Sequence, residues 1–180
     1  LINGKWIIRS IITSDKSGKY DRLPRTFLDT ISKEDKIFRP DSKRYHLYVS
    51  YACPWATRAL IYRQLKGLDK HISVSVVHPD MLEDGWKFDD SFSGATKDHL
   101  YGKKFLREIY QKADPTVTTS VTVPVLWDKK TETIVNNESS QIIRIFNSNF
   151  NDLTGNQNNY FPKEKQKEIE KMNVFTYESI

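Results

Sequence analysis

The feature that most constrains the fold of this chain is the segment around its single cysteine, Cys53. Residues 44–50 are rich in aromatic and β-branched side chains and predict a strand. Residues 54–65 follow a helical pattern that ends before Gly67. Because proline is favoured at the first position of a helix, Pro54 predicts that Cys53 caps this helix. The segment therefore predicts a strand, a short loop, a capping cysteine and a helix in that order.

The predicted cap position favours Cys53 as a reactive thiol. The first amide N–H groups of a helix have no intrahelical acceptor, and the helix dipole is positive at that end. Both effects favour the thiolate, which is the form of cysteine that attacks. A buried structural cysteine is the alternative, and it is the better interpretation of a lone cysteine without this context. The order strand, loop, Cys-Pro and helix makes a nucleophile the preferred interpretation.

The composition narrows the classes of protein to consider. A chain of 180 residues with 38% hydrophobic content can form the core of one domain, or of a domain and part of another. The single cysteine rules out an internal disulfide and favours a reducing compartment such as the cytoplasm, with a peroxisome or another organelle left open. No apolar stretch approaches membrane-spanning length, so we expect no membrane partner. The net charge of +5 is spread over stretches of alternating sign, which disfavours nucleic-acid binding.

Further periodic segments extend the first strand and helix into an α/β domain. Alternation over 72–77 predicts a second strand, parallel to the first through a right-handed crossover. The pattern then predicts a helix over 103–113, strands over 121–127 and 133–135, and a helix over 141–146. The last two strands are joined by so short a turn that they must be antiparallel. The order βαβ, helix, ββ, helix predicts a thioredoxin-like domain.

The regions on either side of this domain differ in character. Residues 1–40 show weak periodicity and many turn formers, so we expect an extension over the domain or a partly disordered segment. Residues 147–159 are dense in Asn, Gly and Asp and predict a linker. After Pro162 an amphipathic helix begins, and its apolar face needs a partner. We therefore expect a thioredoxin-like domain at 41–150, and at 151–180 a linker and the first helix of a helical domain that continues beyond the chain.

Six short motifs, in order and at similar spacing, resemble those of the glutathione transferases. They are Tyr45-His46-Leu47-Tyr48-Val49-Ser50, Cys53-Pro54-Trp55-Ala56, Gly85-Trp86-Lys87-Phe88, Ala113-Asp114-Pro115, Thr122-Val123-Pro124-Val125-Leu126-Trp127-Asp128 and Asn136-Asn137-Glu138-Ser139-Ser140. Within that group the chain resembles the glutathionyl-hydroquinone reductases, close to the fungal omega-class transferases. The resemblance implies an α/β fold, in which the thioredoxin-like N-terminal domain of a glutathione transferase is followed by the start of an all-α C-terminal domain.

The resemblance implies a role in glutathione binding for each matching position. Cys53 would be the catalytic nucleophile that forms a mixed disulfide with glutathione, and Trp86 would pack against the tripeptide. Val123, ahead of a cis bond to Pro124, would pair its backbone with the cysteinyl unit. Viewed alone, Trp86 could equally be an aromatic that fills the core, and Pro124 an edge-strand proline in trans.

The resemblance also implies that Glu138 and Ser139 hold the γ-glutamyl end of glutathione. A helix that begins at Ser139 offers N–H donors to the γ-glutamyl carboxylate, while the Glu138 carboxylate can accept from its ammonium group. An ordinary helix cap is the alternative for this pair. The chain departs from the family pattern at Ser120, where a basic residue often stands. Either glutathione would bind more weakly, or another cation such as Lys103 or Lys104 would take its place.

The implied activity is that of a glutathione-dependent thiol reductase. Glutathione would be the co-substrate, an aromatic or disulfide compound the acceptor, and the protein a homodimer. Ala56 stands where a dithiol protein has its second cysteine, so a second glutathione would have to resolve the mixed disulfide. An omega-like thioltransferase or dehydroascorbate reductase is the first alternative, and a non-catalytic binding module with a transferase fold is the second. The four histidines lack metal-ligand spacing, so we expect no metal.

Overall fold

The computed structural model of the chain describes residues 1–8 and 25–179. Its elements are β1 (Tyr45–Val49), α1 (Pro54–Leu65), a 3-10 turn (Leu68–Lys70), β2 (Ser73–Val76), α2 (Leu106–Ala113), β3 (Val125–Asp128), β4 (Thr133–Asn136), α3 (Ser139–Ser148), α4 (Asn151–Thr154), a second 3-10 turn (Lys163–Lys165) and α5 (Gln166–Ser179). The order βαβ, helix, ββ, helix confirms the predicted thioredoxin-like fold. The part of the predicted N-terminal extension that falls on 9–24 lies outside the described residues.

The four strands form one mixed sheet in the order β2-β1-β3-β4. β1 pairs in parallel with β2 and antiparallel with β3, and β3 pairs antiparallel with β4. All residues of β1 are buried, which fits its uninterrupted run of large side chains in the sequence. Helix α1 packs against α3, and α2 lies next to β4. This arrangement brings the starts of α1 and α3 to the same region of the domain.

The boundaries of several elements differ from the sequence-based prediction. β3 begins at Val125 rather than at 121, because Pro124 has no N–H to donate to a neighbouring strand. Helix α3 continues to Ser148, and α4 falls within the predicted linker 147–159. The remainder of that segment is held by Lys66, a fully buried lysine whose ammonium group donates to the carbonyls of Asn156 and Asn158.

The described residues of the N-terminal extension lie against the domain. The backbone nitrogen of Leu1 donates to the Thr119 carbonyl at 2.8 Å, and the Trp6 indole N–H donates to the Glu83 carbonyl at 3.2 Å. Ile31 is fully buried. These contacts attach the described parts of this region to the domain.

Helix α5 presents an exposed apolar surface. Its exposed apolar side chains are Met172, Val174, Phe175 and Tyr177. An ion pair between Arg144 of α3 and Glu170 of α5, with an N–O distance of 3.1 Å, joins the helix to the domain. Among the described residues, no helix combines the length and apolar character needed to cross a membrane.

A buried ion pair joins the start of β1 to the end of β3. Arg44 Nε lies 2.8 Å from Asp128 Oδ1, and its Nη2 lies 2.7 Å from Oδ2, so the contact is bidentate. Arg44 also donates to the Ile37 carbonyl and pairs with Asp41 at 3.1 Å. The Asp128 side chain is fully buried and that of Arg44 nearly so. Removal of either partner therefore leaves an uncompensated charge in the interior.

We expect Asp128→Asn to lower the free energy of unfolding by about 3 kcal/mol, because the Arg44 guanidinium would stay buried without its anion. The matched control is Asp41→Asn, which removes the exposed carboxylate from the same arginine and should cost less than about 1 kcal/mol. Urea denaturation of the natural full-length protein at pH 7 measures both. Equal losses in the two variants would contradict this account.

The same pair predicts a dependence of stability on pH. Burial raises the pKa of Asp128, but hydrogen bonds from Arg44, the Thr131 hydroxyl and the Lys130 N–H lower it further than burial raises it, to below its usual range. Because the pKa is lower in the folded state, the ionised carboxylate stabilises the fold at pH values above about 3.9, the ordinary pKa of Asp. This stabilisation is lost as the pH falls through the folded-state pKa. The stability difference between the wild type and Asp128→Asn should therefore shrink on acidification below that ordinary value. A constant difference down to pH ~2 would contradict the assigned shift.

Candidate functional site

Cys53 lies at the N-terminus of α1, as predicted. It is the N-cap, with extended backbone angles (φ −104°, ψ 112°), and Pro54 occupies the first turn. Its carbonyl accepts the N–H groups of Ala56 at 3.1 Å and Thr57 at 3.0 Å, which starts the helix. The thiol is half-buried and free of any disulfide. The sulfur is thus held at the positive end of a helix, in a residue that is partly exposed.

The segment before β3 lies beside this sulfur. Cys53 Sγ is 3.7 Å from the carbonyl oxygen of Val123. The peptide bond between Val123 and Pro124 is cis. The Val123 N–H has no hydrogen-bond acceptor in the described part of the chain, whereas the side chain is buried. Sequence residues 70 positions apart therefore form one edge of the site, with a backbone donor that a ligand can use.

Glu138 caps helix α3 and also pairs with the guanidinium groups of two arginines. Its Oε1 accepts the Ser140 N–H and the Ser140 hydroxyl, both at 2.9 Å. Arg25 Nε lies 3.6 Å from Oε2, and Arg58 Nη2 lies 3.7 Å from Oε1. The helix-cap alternative is thus correct for the position of Glu138, and its carboxylate belongs at the same time to a cluster of charges.

Ser139 and Arg58 connect the starts of the two helices. The Ser139 hydroxyl oxygen accepts from Arg58 Nε at 3.1 Å and from Nη2 at 2.7 Å, and the serine is 4% exposed. The guanidinium lies over the Trp55 ring, 4.8 Å from its centroid. Burial lowers the pKa of Arg58, while the negative charge of Glu138 acts in the opposite direction. Arg58 thus lies one turn from the cap of α1 and within reach of the cap of α3.

Sequence reasoning missed Arg58 and Arg25. Arg58 follows Trp55 by three positions, a spacing that puts both side chains on one face of a helix. That spacing was the available signal for a cation on the first turns of α1. Arg25 lies outside every regular element and contacts Glu138 from more than a hundred positions away, so local patterns gave no sign of it.

Trp86 lies on the long connection between β2 and α2. It packs partly buried against the core, and its carbonyl accepts the Leu106 N–H at 2.9 Å, which anchors the loop to the start of α2. Across the described ranges, no hydrogen bond, ion pair or ring contact joins Trp86 to Cys53, Val123 or Glu138. The structure therefore brings Cys53 together with Val123, and places Trp86 on a separately anchored loop.

The two lysines considered as substitutes at the Ser120 position make contacts elsewhere. Lys103 Nζ lies 3.7 Å from Glu108 Oε1. Lys104 Nζ lies over the Phe105 ring at 5.3 Å. Both contacts are with the start of α2 rather than with Val123. Arg25 and Arg58, by contrast, both pair with Glu138 at the candidate site.

No group of three or more His, Cys, Asp or Glu side chains within 1–8 and 25–179 is arranged to hold a metal ion. The buried His46 forms hydrogen bonds with two serine hydroxyl groups. Its two ring nitrogens lie 2.7 Å from the Ser73 hydroxyl and 2.9 Å from the Ser75 hydroxyl. Burial lowers the pKa of His46 to about 3, which keeps the ring neutral.

Comparison with known proteins places the chain among glutathione transferases. A family model described as "Glutathione S-transferase, N-terminal domain" matches residues 52–149. The chain is 47% identical over 187 residues to the glutathionyl-hydroquinone reductase YqjG of Escherichia coli. This alignment covers 100% of the chain and 57% of that protein. The chain is 45% identical over 171 residues to the glutathione S-transferase omega-like 2 of Schizosaccharomyces pombe, covering 93% of this chain and 54% of that protein.

A solved structure matches as well. The glutathione-bound structure of YqjG from Escherichia coli K-12 has a TM-score of 0.81 and 49% sequence identity, covering 87% of this chain and 53% of that one. The chain spans about half the length of the curated relatives it matches. These similarities confirm the resemblance to glutathionyl-hydroquinone reductases and fungal omega-like transferases.

We expect Glu138→Ala to lower the free energy of unfolding by about 1 kcal/mol, because α3 would lose the carboxylate that caps it. The matched control is Glu170→Ala, which removes an exposed ion pair with Arg144 but no cap and should cost less than about 0.5 kcal/mol. Urea denaturation under identical conditions compares the two. If both variants lose the same stability, the capping role of Glu138 is wrong.

Proposed function

The chain belongs to the family of glutathione S-transferase N-terminal domains, and we propose that it binds glutathione and uses Cys53 as the nucleophile of a glutathione-dependent thiol reductase. The observation that carries this proposal is the position of the Cys53 sulfur. It lies at a helix N-terminus, half-buried, and beside the Val123 carbonyl. The relatives named glutathionyl-hydroquinone reductase and omega-like transferase support the same chemistry.

The proposed substrates are glutathionyl-hydroquinones. The Cys53 thiolate attacks the glutathionyl sulfur, the new S–S bond forms, and the bond from sulfur to the aromatic carbon breaks. The electron pair of that bond goes to the carbon, which takes up a proton and leaves as the hydroquinone. A second glutathione thiolate then attacks the mixed disulfide, so that oxidised glutathione leaves and the Cys53 thiolate is restored. The covalent intermediate divides one difficult step into two easier ones.

The remaining candidates are proposed to hold the glutathione tripeptide. Val123, fixed by the bond to Pro124, pairs its backbone with the cysteinyl unit, and its unpartnered N–H suits this role. Ser139 offers an N–H at the start of α3 to the γ-glutamyl carboxylate, and Glu138 accepts from the γ-glutamyl ammonium group. Trp86 packs against the tripeptide from its loop. We also propose a homodimer as the working form.

A second candidate function is an omega-like thioltransferase or dehydroascorbate reductase. It uses the same nucleophile and differs only in the acceptor, and the similarity to an omega-like transferase favours it. A non-catalytic binding module is the weakest candidate, because such a module has no need of a thiol at a helix N-terminus. Turnover of a glutathionyl-hydroquinone and of hydroxyethyl disulfide, measured side by side, separates the three.

We expect Cys53→Ser to reduce turnover in both assays by about a hundredfold or more, because a hydroxyl group cannot form the mixed disulfide. Treatment with oxidised glutathione should add the mass of one glutathionyl group to the wild type and none to the variant. Equal denaturation midpoints would show that the fold is retained. A variant that keeps substantial turnover, or that still gains a glutathionyl group, would assign the chemistry to another residue.

A further inference from the structure

Arg58 is the one charged side chain among the described residues that donates hydrogen bonds to Ser139. It lies in α1, one turn after the cap formed by Cys53, whereas Ser139 begins α3. Its Nε and Nη2 are 3.1 and 2.7 Å from the Ser139 hydroxyl oxygen. The contact spans 81 sequence positions. It therefore links the helix that holds the proposed nucleophile to the helix that holds the proposed γ-glutamyl site.

The hydrogen-bond capacity of Ser139 is only partly used. A serine oxygen has two lone pairs and one O–H donor. Arg58 supplies two donors to the lone pairs, and no described residue accepts from the hydroxyl proton. The residue is 96% buried, since its exposed fraction is 4%. A buried hydroxyl normally uses its donor, so this free O–H points to an acceptor supplied by a ligand.

The surroundings of this donor favour an anionic acceptor. The Ser139 backbone N–H is at the start of α3 and has no acceptor in the described part of the chain, so the residue offers two donors. A hydroxyl that accepts from a guanidinium is polarised into a stronger donor. The Glu138 carboxylate accepts from Ser140 and pairs with Arg25 and Arg58, so its charge is partly compensated while it keeps lone pairs for an ammonium group. A carboxylate ligand would therefore meet the two donors of Ser139.

Arg58 is itself held in place from two sides. Its guanidinium lies over the Trp55 ring, and Nη2 lies 3.7 Å from Glu138 Oε1. A planar guanidinium that is stacked and hydrogen-bonded keeps its fork of N–H donors in one orientation. The donors that reach Ser139 are thus preorganised. Lysine, with a single compact ammonium group, could supply the charge but not this paired geometry.

We infer that Arg58 is a positioning residue for γ-glutamyl recognition: it holds the Ser139 oxygen with two N–H donors, so that the hydroxyl proton is directed to the α-carboxylate of the γ-glutamyl group. This inference rests on the proposed function. It predicts that Arg58 sets the preference for glutathione over thiols that lack a γ-glutamyl unit. If the contact between Arg58 and Ser139 only held α1 against α3, its loss would lower the stability of the fold without changing that preference.

The experiment compares two disulfides as reagents for Cys53 in the natural full-length protein. One is oxidised glutathione, and the other is the disulfide of cysteinylglycine, which lacks the γ-glutamyl group. The rate of mixed-disulfide formation is measured by mass spectrometry for each. Any general change in the reactivity of Cys53 affects both rates, so the ratio of the rates isolates γ-glutamyl recognition. Arg58→Gln should lower this ratio about tenfold, the size expected for a charge-assisted hydrogen bond.

A double-mutant cycle tests whether Arg58 acts through Ser139. Ser139→Ala alone should lower the ratio about as much as Arg58→Gln, and the double variant should lower it no further, because both changes remove the same interaction. Arg58→Lys should give an intermediate ratio. The matched control is Arg63→Gln, on the same helix, whose guanidinium donates to the Ile72 and Asp69 carbonyls. This control should leave the ratio at the wild-type value.

Several outcomes would overturn the inference. The inference is wrong if Arg58→Gln has the same ratio of rates as the wild type. It is also wrong if the double variant lowers the ratio by the product of the two single effects, because the two residues would then act independently. If the wild type turns over a glutathionyl-hydroquinone while either result is found, the proposed function stands and only the inference falls. If the wild type shows no preference for oxidised glutathione, both fall. If Arg58→Gln does not fold, Arg58→Lys and Ser139→Ala still test the inference. A ratio of rates equal to that of the wild type in both variants would contradict the assigned role.

Discussion

The site depends on the antiparallel register between β1 and β3. That register pairs Tyr45 with Asp128 and Tyr48 with Val125, and the buried Arg44–Asp128 ion pair fixes one end of it. Because β1 runs directly towards Cys53 and β3 begins directly after Pro124, the same register brings the Val123 carbonyl to the Cys53 sulfur. A slip of one residue would turn every side chain of a strand to the opposite face. An ion pair at one end of the strands thus holds the geometry of a site at the other end.

The second constraint is the packing of α1 against α3, which makes two helix N-termini face one region. Each helix start contributes amide N–H groups without intrahelical acceptors and the positive end of a dipole. Arg58 bridges these starts, and Arg25 adds a further positive charge beside Glu138. Such surroundings would stabilise a thiolate and the carboxylates of the proposed tripeptide ligand. In the proposed function, that stabilisation comes from the fold itself as much as from single side chains.

Local patterns predicted the parts of the fold that local interactions determine. β1, the cap at Cys53 and α1 followed from residue types within a window of about 20 positions, and the resemblance supplied the cis bond before Pro124. The contact between Arg58 and Ser139 was not predictable in this way, since it depends on how two helices pack. The same holds for Lys66, whose buried ammonium group holds backbone carbonyls far along the chain. Sequence periodicity describes which face of a helix is apolar, but not which polar groups meet across it.

A reductase with a single cysteine needs a sulfur that a second thiol from solution can reach. In the proposed mechanism, the mixed disulfide must be resolved by a thiol that enters from solution, because Ala56 provides none. The sulfur must then be sheltered enough to be oriented and open enough for a second thiol to approach it. Cys53 is half-buried at the edge of α1, with one side against the Val123 carbonyl. A fully buried sulfur would be closed both to the substrate and to the second glutathione, so the partial exposure of Cys53 favours a one-cysteine cycle over a structural cysteine.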